Sequence, residues 1–243
     1  MSRTWTLLVL ILILILVSLA PITANADMGD PPLVHMIMVE ELEYGFDFDA
    51  HPVSLDSTSW IGGDWNRVWL KVEGEANRDG AEGELQLLYS RLILPFWELQ
   101  MGVRGDMTQI TDDARTGRGH LVFGLEGLAP YWFEVEPAVF VSQKGDVSAR
   151  FRATYDLYIT QRIVAHESIE ANAAVQSVPE FGIGSGFGNI NLGLRLGYQV
   201  RREFMPYMGI TWDRAFGETG RLRRAESGSA GAFDVVGGVR FWF

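Results

Sequence analysis

The stretch FDVVGGVRFWF (233–243) decides the fold. Phe233, Val235, Val239, Phe241 and Phe243 fall on one side of an extended chain, and Asp234, Gly238 and Arg240 fall on the other. A strand that alternates as far as an aromatic final residue is not a frayed polar tail. It needs a neighbour along its whole length, and a lipid-exposed edge would leave its backbone groups unpaired. The stretch therefore predicts a strand that closes a cylinder against the first strand of the same sheet. A terminal Phe after alternating apolar residues also resembles the carboxy-terminal signal read by the outer-membrane barrel insertion machinery.

The same alternation runs back through the chain. Val68, Leu70 and Val72 alternate with Arg67, Trp69, Lys71 and Glu73; Leu99, Met101 and Val103 with Glu98, Gln100 and Arg104; Leu192, Leu194 and Leu196 with Asn191 and Arg195. Period-2 patterning of this kind argues for β structure throughout. About ten such segments fit between residues 59 and 243, with eight or twelve as alternatives, each near the length that crosses a bilayer when tilted. The connections alternate too. LPF (94–96), LAPYW (128–132) and RREFMP (201–206) are short, whereas MTQITDDARTGRGH (107–120), SVPEFGIGSGFG (177–188) and FGETGRLRRAESGSAGA (216–232) are long and polar. Short turns at one end and long loops at the other are the pattern of an outer-membrane barrel. Trp97, Tyr131, Trp132, Tyr158 and Phe204 gather by the short turns, as an interfacial girdle would.

Composition agrees. The chain has 243 residues, no cysteine and a formal charge of -11, which excludes disulfide or thiolate chemistry and disfavours nucleic acid as a partner. The opening MSRTWTLLVLILILILVSLAPITANAD reads as a signal peptide over residues 1–26: Arg3, the apolar run Leu7 to Ala20, and the A-x-A site Ala24-Asn25-Ala26. The run is short for a membrane helix, which needs roughly 18 or more apolar residues. Residues 27–58, with Pro31, Pro32, Pro52 and several acids, read as a short extended periplasmic arm ahead of the barrel.

With apolar side chains turned to lipid, the charges turn inward. Arg67, Lys71, Glu73, Glu75, Glu98, Arg104, Asp106, Glu126, Glu134, Glu136, Arg150, Arg152, Asp156, Arg162, Glu170, Arg195, Asp213 and Arg240 are expected to line the lumen. A barrel this narrow is well below the size of open porins, so these charges are expected to pair and fill it. His120 and His166 share that face as members of the polar interior. Neither GxSxG, HExxH nor P-loop spacing occurs, and no catalytic reaction is expected.

Several stretches go beyond pattern. WIGGDWNRVWLKVEGE (60–75), LYSRLILPFWELQMGVR (88–104), GLAPYWFEVE (127–136), YDLYITQRIV (155–164) and GLRLGYQVRREFMPYMGITWDR (193–214) resemble the copper resistance protein B family. The resemblance runs from about residue 35 to 243. It implies an outer-membrane barrel that binds copper and keeps the excess from harming the cell, in contact with outer-membrane lipid and with periplasmic copper-resistance proteins. Many members carry a long Met- and His-rich arm; here only Met28, His35, Met36 and Met38 remain, with His51 a weaker member of the group. Thioether and imidazole donors suit Cu(I). In VHMIMVEE (34–41) Met36 and Met38 fall on the same side of an extended segment. Donor type alone leaves two readings, copper capture or an apolar segment packed beneath the barrel with Met as filler. The resemblance points to copper. Neither an outer-membrane hydrolase using His120 and lumen acids nor a ligand-free structural barrel is excluded by the residues alone.

Overall fold

The computed structural model describes residues 33–46, 52–77, 80–109 and 115–243. The expected leader, with Met28 and His51, lies outside the described residues.

Alternation produces strands wherever the chain carries it. Twelve antiparallel strands form one closed barrel: β1 (Val34–Gly45), β2 (Val53–Gly62), β3 (Asn66–Ala76), β4 (Ala81–Leu94), β5 (Trp97–Gln109), β6 (Arg115–Ala129), β7 (Phe133–Ser142), β8 (Val147–Tyr158), β9 (Ile163–Ala174), β10 (Gly186–Tyr198), β11 (Phe204–Ala215) and β12 (Gly231–Trp242). Each pairs with its chain neighbours, and β12 returns to β1, which removes every free edge. The register at the seam sets Met38 against Trp242 and Glu43 against Gly238. Ile37 and Phe243 exchange both backbone hydrogen bonds, at 3.1 and 2.9 Å. The closing role expected of 233–243 is thus what the last strand performs.

The strand number is twelve, not ten, and the difference lies in one place. The expected arm 27–58 contains β1 and most of β2. Two features hide them. A bulge between Val39 and Glu41 interrupts the pairing with β2, so the side-chain alternation changes phase in mid-strand. In β2 the outward positions include Ser57 and Ser59, which dilutes the apolar stripe. The other ten strands match the alternating segments to within a few residues.

Side chains sort as the membrane requires. In β4, Leu85, Leu87 and Tyr89 are exposed on the outside while Gln86, Leu88 and Ser90 are buried within. Connections at one end, 63–65, 95–96, 130–132, 159–162 and 199–203, are short, and this end is the periplasmic one. At the other end the 216–230 connection carries a helix, α1 (Gly217–Ser227), where the sequence suggests only a polar loop. Gly228 ends it in the left-handed region (φ 78°), its amide bonding the Arg224 carbonyl. No helix of the described residues is long and apolar enough to cross a membrane; the strands do so.

Candidate functional site

The lumen is filled by several groups of ion pairs. Arg152 reaches Glu73 (2.7 Å), Glu170 (2.8 Å) and Asp56 (3.3 Å). Arg150 reaches Glu84 (2.8 Å) and Glu73 (3.3 Å), and Arg104 joins Glu84 (2.8 Å) to Asp106 (2.6 Å). Lys71 sits between Glu126 (3.0 Å) and Glu136 (2.5 Å), and Arg195 between Glu41 (2.7 Å) and Glu43 (2.5 Å). Most of these pairs cross the lumen between strands that are not neighbours, Arg150 on β8 to Glu84 on β4 for example. They brace the cylinder. Charges withdrawn from bulk water need partners of this kind, and the shared carboxylates supply them.

Part of the interior is apolar. Trp69, Leu88, Val122 and Phe140 pack together inside the barrel, with the Trp69 indole donating to the Ser90 hydroxyl at 2.8 Å. Gly102, paired with Leu88, lets β5 approach β4 closely beside this cluster: a Cβ there would lie 2.0 Å from the Leu87 carbonyl oxygen. The hollow bounded by Lys71, Glu73, Gln86, Glu136, Phe140 and Arg152 measures about 20 Å³, room for roughly one water. A larger hollow of about 640 Å³ lies on the outer wall among Phe123, Val139, Phe151 and Phe187. Its apolar lining faces hydrocarbon and suits an acyl chain, so it is not where an ion would bind.

The expected metal donors are divided by the strand. Met36 and Met38 lie opposite Trp60 and Thr58 on β2 and face the lumen at its periplasmic mouth. His35 lies opposite Ile61, exposed on the outer face. The set His35, Met36, Met38 is therefore not one pocket, because neighbouring residues of a strand point to opposite sides. Arg162, expected in the lumen, is exposed in the 159–162 turn, where it donates to the Tyr198 hydroxyl at 3.2 Å.

The histidines are inside. His120 is buried, 3.6 Å from Asp106 and edge-on to Phe140. His166 is buried with Nδ1 2.6 Å from Asp156. Asp156 also accepts from Arg240, whose guanidinium comes within 3.9 Å of the Met38 sulfur. Among the described residues no group of three or more His, Asp or Glu has metal-binding geometry. The sequence reading missed Glu41, Glu43, Asp56 and Glu84 as lumen charges; three of them sit on the two unrecognised strands, and correct phasing across the 39/41 bulge is the signal that finds Glu41 and Glu43.

A closed twelve-strand cylinder with a lipid-facing apolar wall and an ion-paired interior defines a small outer-membrane barrel protein. The family model described as copper resistance protein B precursor matches residues 33–243, so the chain belongs to that family, whose members serve copper resistance. A copper resistance protein B of Escherichia coli is 36% identical over 215 residues, covering 88% of this chain and 71% of that one. A homolog from Pseudomonas syringae pv. tomato is 31% identical over the same shares. The fold is similar to that of the NanC porin (TM-score 0.53, 12% identity, 84% of this chain and 98% of that one). It is also similar to outer membrane phospholipase A from Escherichia coli (TM-score 0.52, 12% identity, 85% and 91%).

Proposed function

We propose that this barrel binds copper at its periplasmic mouth and contributes to copper resistance by holding the excess ion there, for retention or transfer to periplasmic copper-resistance proteins. The observation that carries the reading is the pairing of β1 with β2, which turns the thioethers of Met36 and Met38 into the mouth of a polar lumen. Thioethers prefer Cu(I) over the harder ions that compete for carboxylates. The acids behind them favour any cation that enters. The ion pairs above leave a central hollow of about 20 Å³, so outward passage would require them to part. Binding rather than catalysis is the role proposed. His120, the residue a hydrolase would use, is buried against Phe140.

Titration of detergent-purified protein with Cu(I) against a competing chelator tests this. Wild type is expected to bind, and Met36→Ala with Met38→Ala to lose at least about tenfold in affinity. Unchanged affinity in the double variant, or no binding by wild type, would overturn the proposal and leave a ligand-free structural barrel.

A further inference from the structure

An arginine stands on the outer wall near the extracellular end of β11. Arg214 is exposed, and alternation turns it outward, because its neighbour Asp213 points inward to Asn189 (3.3 Å) and Arg223. The Arg214 side chain lies across Gly231 on β12, where a Cβ would come 3.0 Å from its Cδ. Toward the bilayer centre Trp212 and Phe233 sit opposite each other on the same outer face, both exposed. Arg224 on α1 joins this rim. A Cβ at Gly220 would stand 2.8 Å from the Ala215 carbonyl oxygen and 3.7 Å from Arg224 Nη1, which puts that guanidinium beside the residue following Arg214. Neither Arg214 nor Arg224 has a carboxylate within ion-pair distance among the described residues. The rim also borders the outer hollow. Phe216 follows Arg214 by two extended residues on the same face, its ring is 5.3 Å from that of Phe187, and Phe187 lines the hollow.

A charge on the lipid face of a barrel is costly at mid-depth and tolerated near the head groups. The Trp212 and Phe233 rings beneath Arg214 mark that level, as interfacial aromatics do. We infer that Arg214 and Arg224 bind the head-group phosphate of an outer-leaflet lipid, and that one acyl chain of the same lipid lies in the hollow below Phe187. Charge complementarity names the head group, since a guanidinium fork matches phosphate oxygens and no protein acid occupies either fork. The hydrocarbon part decides between a lipid and a free anion. A chain of formal charge -11 repels free phosphate, and two exposed arginines alone make a weak site. The hollow supplies the anchor. It measures about 640 Å³, and Ala149, Ala171 and Ala173 leave it open among Phe123, Phe151 and Phe187. The Phe187–Phe216 pair forms the edge between head group and chain. This site lies outside the wall and does not depend on copper at the periplasmic mouth.

The test is native mass spectrometry of the full-length protein, delipidated in detergent and titrated with lipid A, with dephosphorylated lipid A and with inorganic phosphate. Wild type is expected to hold one lipid A, to bind the dephosphorylated form about tenfold less well, and to retain no inorganic phosphate. Arg214→Gln is expected to weaken lipid A binding about tenfold, with Arg214→Lys between the two, since lysine keeps the charge and loses the fork. Ala173→Phe, which fills the hollow beside Phe187, is expected to weaken both lipids. Arg91→Gln, on the outer face of β4 near the periplasmic end, is expected to change nothing. Equal binding of the two lipids by wild type would overturn phosphate recognition without recourse to any variant. Equal losses in Arg91→Gln and Arg214→Gln would reduce the effect to general charge and overturn the site. Wild-type affinity in Ala173→Phe would overturn the place given to the acyl chain. Displacement of lipid A by inorganic phosphate, or a protein dimer that excludes the lipid, would overturn the lipid as occupant.

Discussion

Arg152 touches three carboxylates, those of Asp56, Glu73 and Glu170, and each belongs to a different strand. Replacing it by Met of similar length leaves three acids facing one another with little water to screen them. The expected cost is about 3–5 kcal/mol, the range for breaking a buried pair by removing one partner. It is read as a fall in the urea midpoint for unfolding from vesicles, and a wild-type midpoint would show that the network is not what braces the wall. The substitution Glu98→Gln is expected to cost less by the same measurement, because its partner Arg67 also stacks on Trp60, with the guanidinium carbon 4.3 Å from the ring centroid. Most inward charges were legible from alternation alone, because the polar member of each pair in a strand has nowhere else to go. The partners were not: pairs such as Arg150 with Glu84 join residues 66 positions apart, and only closure sets them face to face.

Single elements carry conformations that the pattern does not announce. Phe96, Tyr131 and Trp132 adopt positive φ (67°, 68° and 68°), and all three are exposed aromatics in the periplasmic turns. A non-glycine residue in the left-handed region costs about 1–2 kcal/mol, which the interfacial preference of aromatic rings offsets. Phe96→Ala keeps that backbone cost and loses the ring; Phe96→Gly loses both. The alanine variant is therefore expected to be less stable than the glycine variant by about 1 kcal/mol in vesicles, and equal midpoints would refute the account. At the opposite end, α1 docks on the 175–185 connection through Glu218, which accepts from the Ser185 amide at 2.9 Å and its hydroxyl at 2.8 Å. Those bonds, the backbone one first, hold the Glu218 carboxyl below its ordinary range. A carboxylate lowered on folding stabilises the docked state above its unfolded pKa, and the contribution is lost as pH falls through the folded value. Protection of the Ser185 amide from hydrogen exchange is thus expected to persist at neutral pH and vanish in acid below the usual carboxylate range. Glu218→Gln is expected to weaken it at neutral pH. The helix itself was not legible, since GETGRLRRAES has two glycines and no apolar stripe; it forms where it can pack on β10 and β11.

For the molecule as a whole, the filled lumen bears on transport. Wild type is expected to show no steady open-pore conductance in planar bilayers. Arg150→Ser with Arg152→Ser is expected to open a cation-selective path, because Glu73, Glu84 and Glu170 lose their counter-charges and admit water. Equal conductance from both would show that solute passes elsewhere. The architecture was legible almost entirely, since a bilayer permits few ways to satisfy a backbone. What escaped was the beginning, where one bulge shifts the phase and two serines thin the greasy stripe. That beginning matters for timing. Met38 and Arg240 are 202 positions apart, and they meet only across the β1–β12 seam. While the polypeptide is still in transit across the periplasm, unzipped, these two side chains have no means of meeting. Any contact that spans the seam therefore forms last, when the final strand zips onto the first and the cylinder shuts.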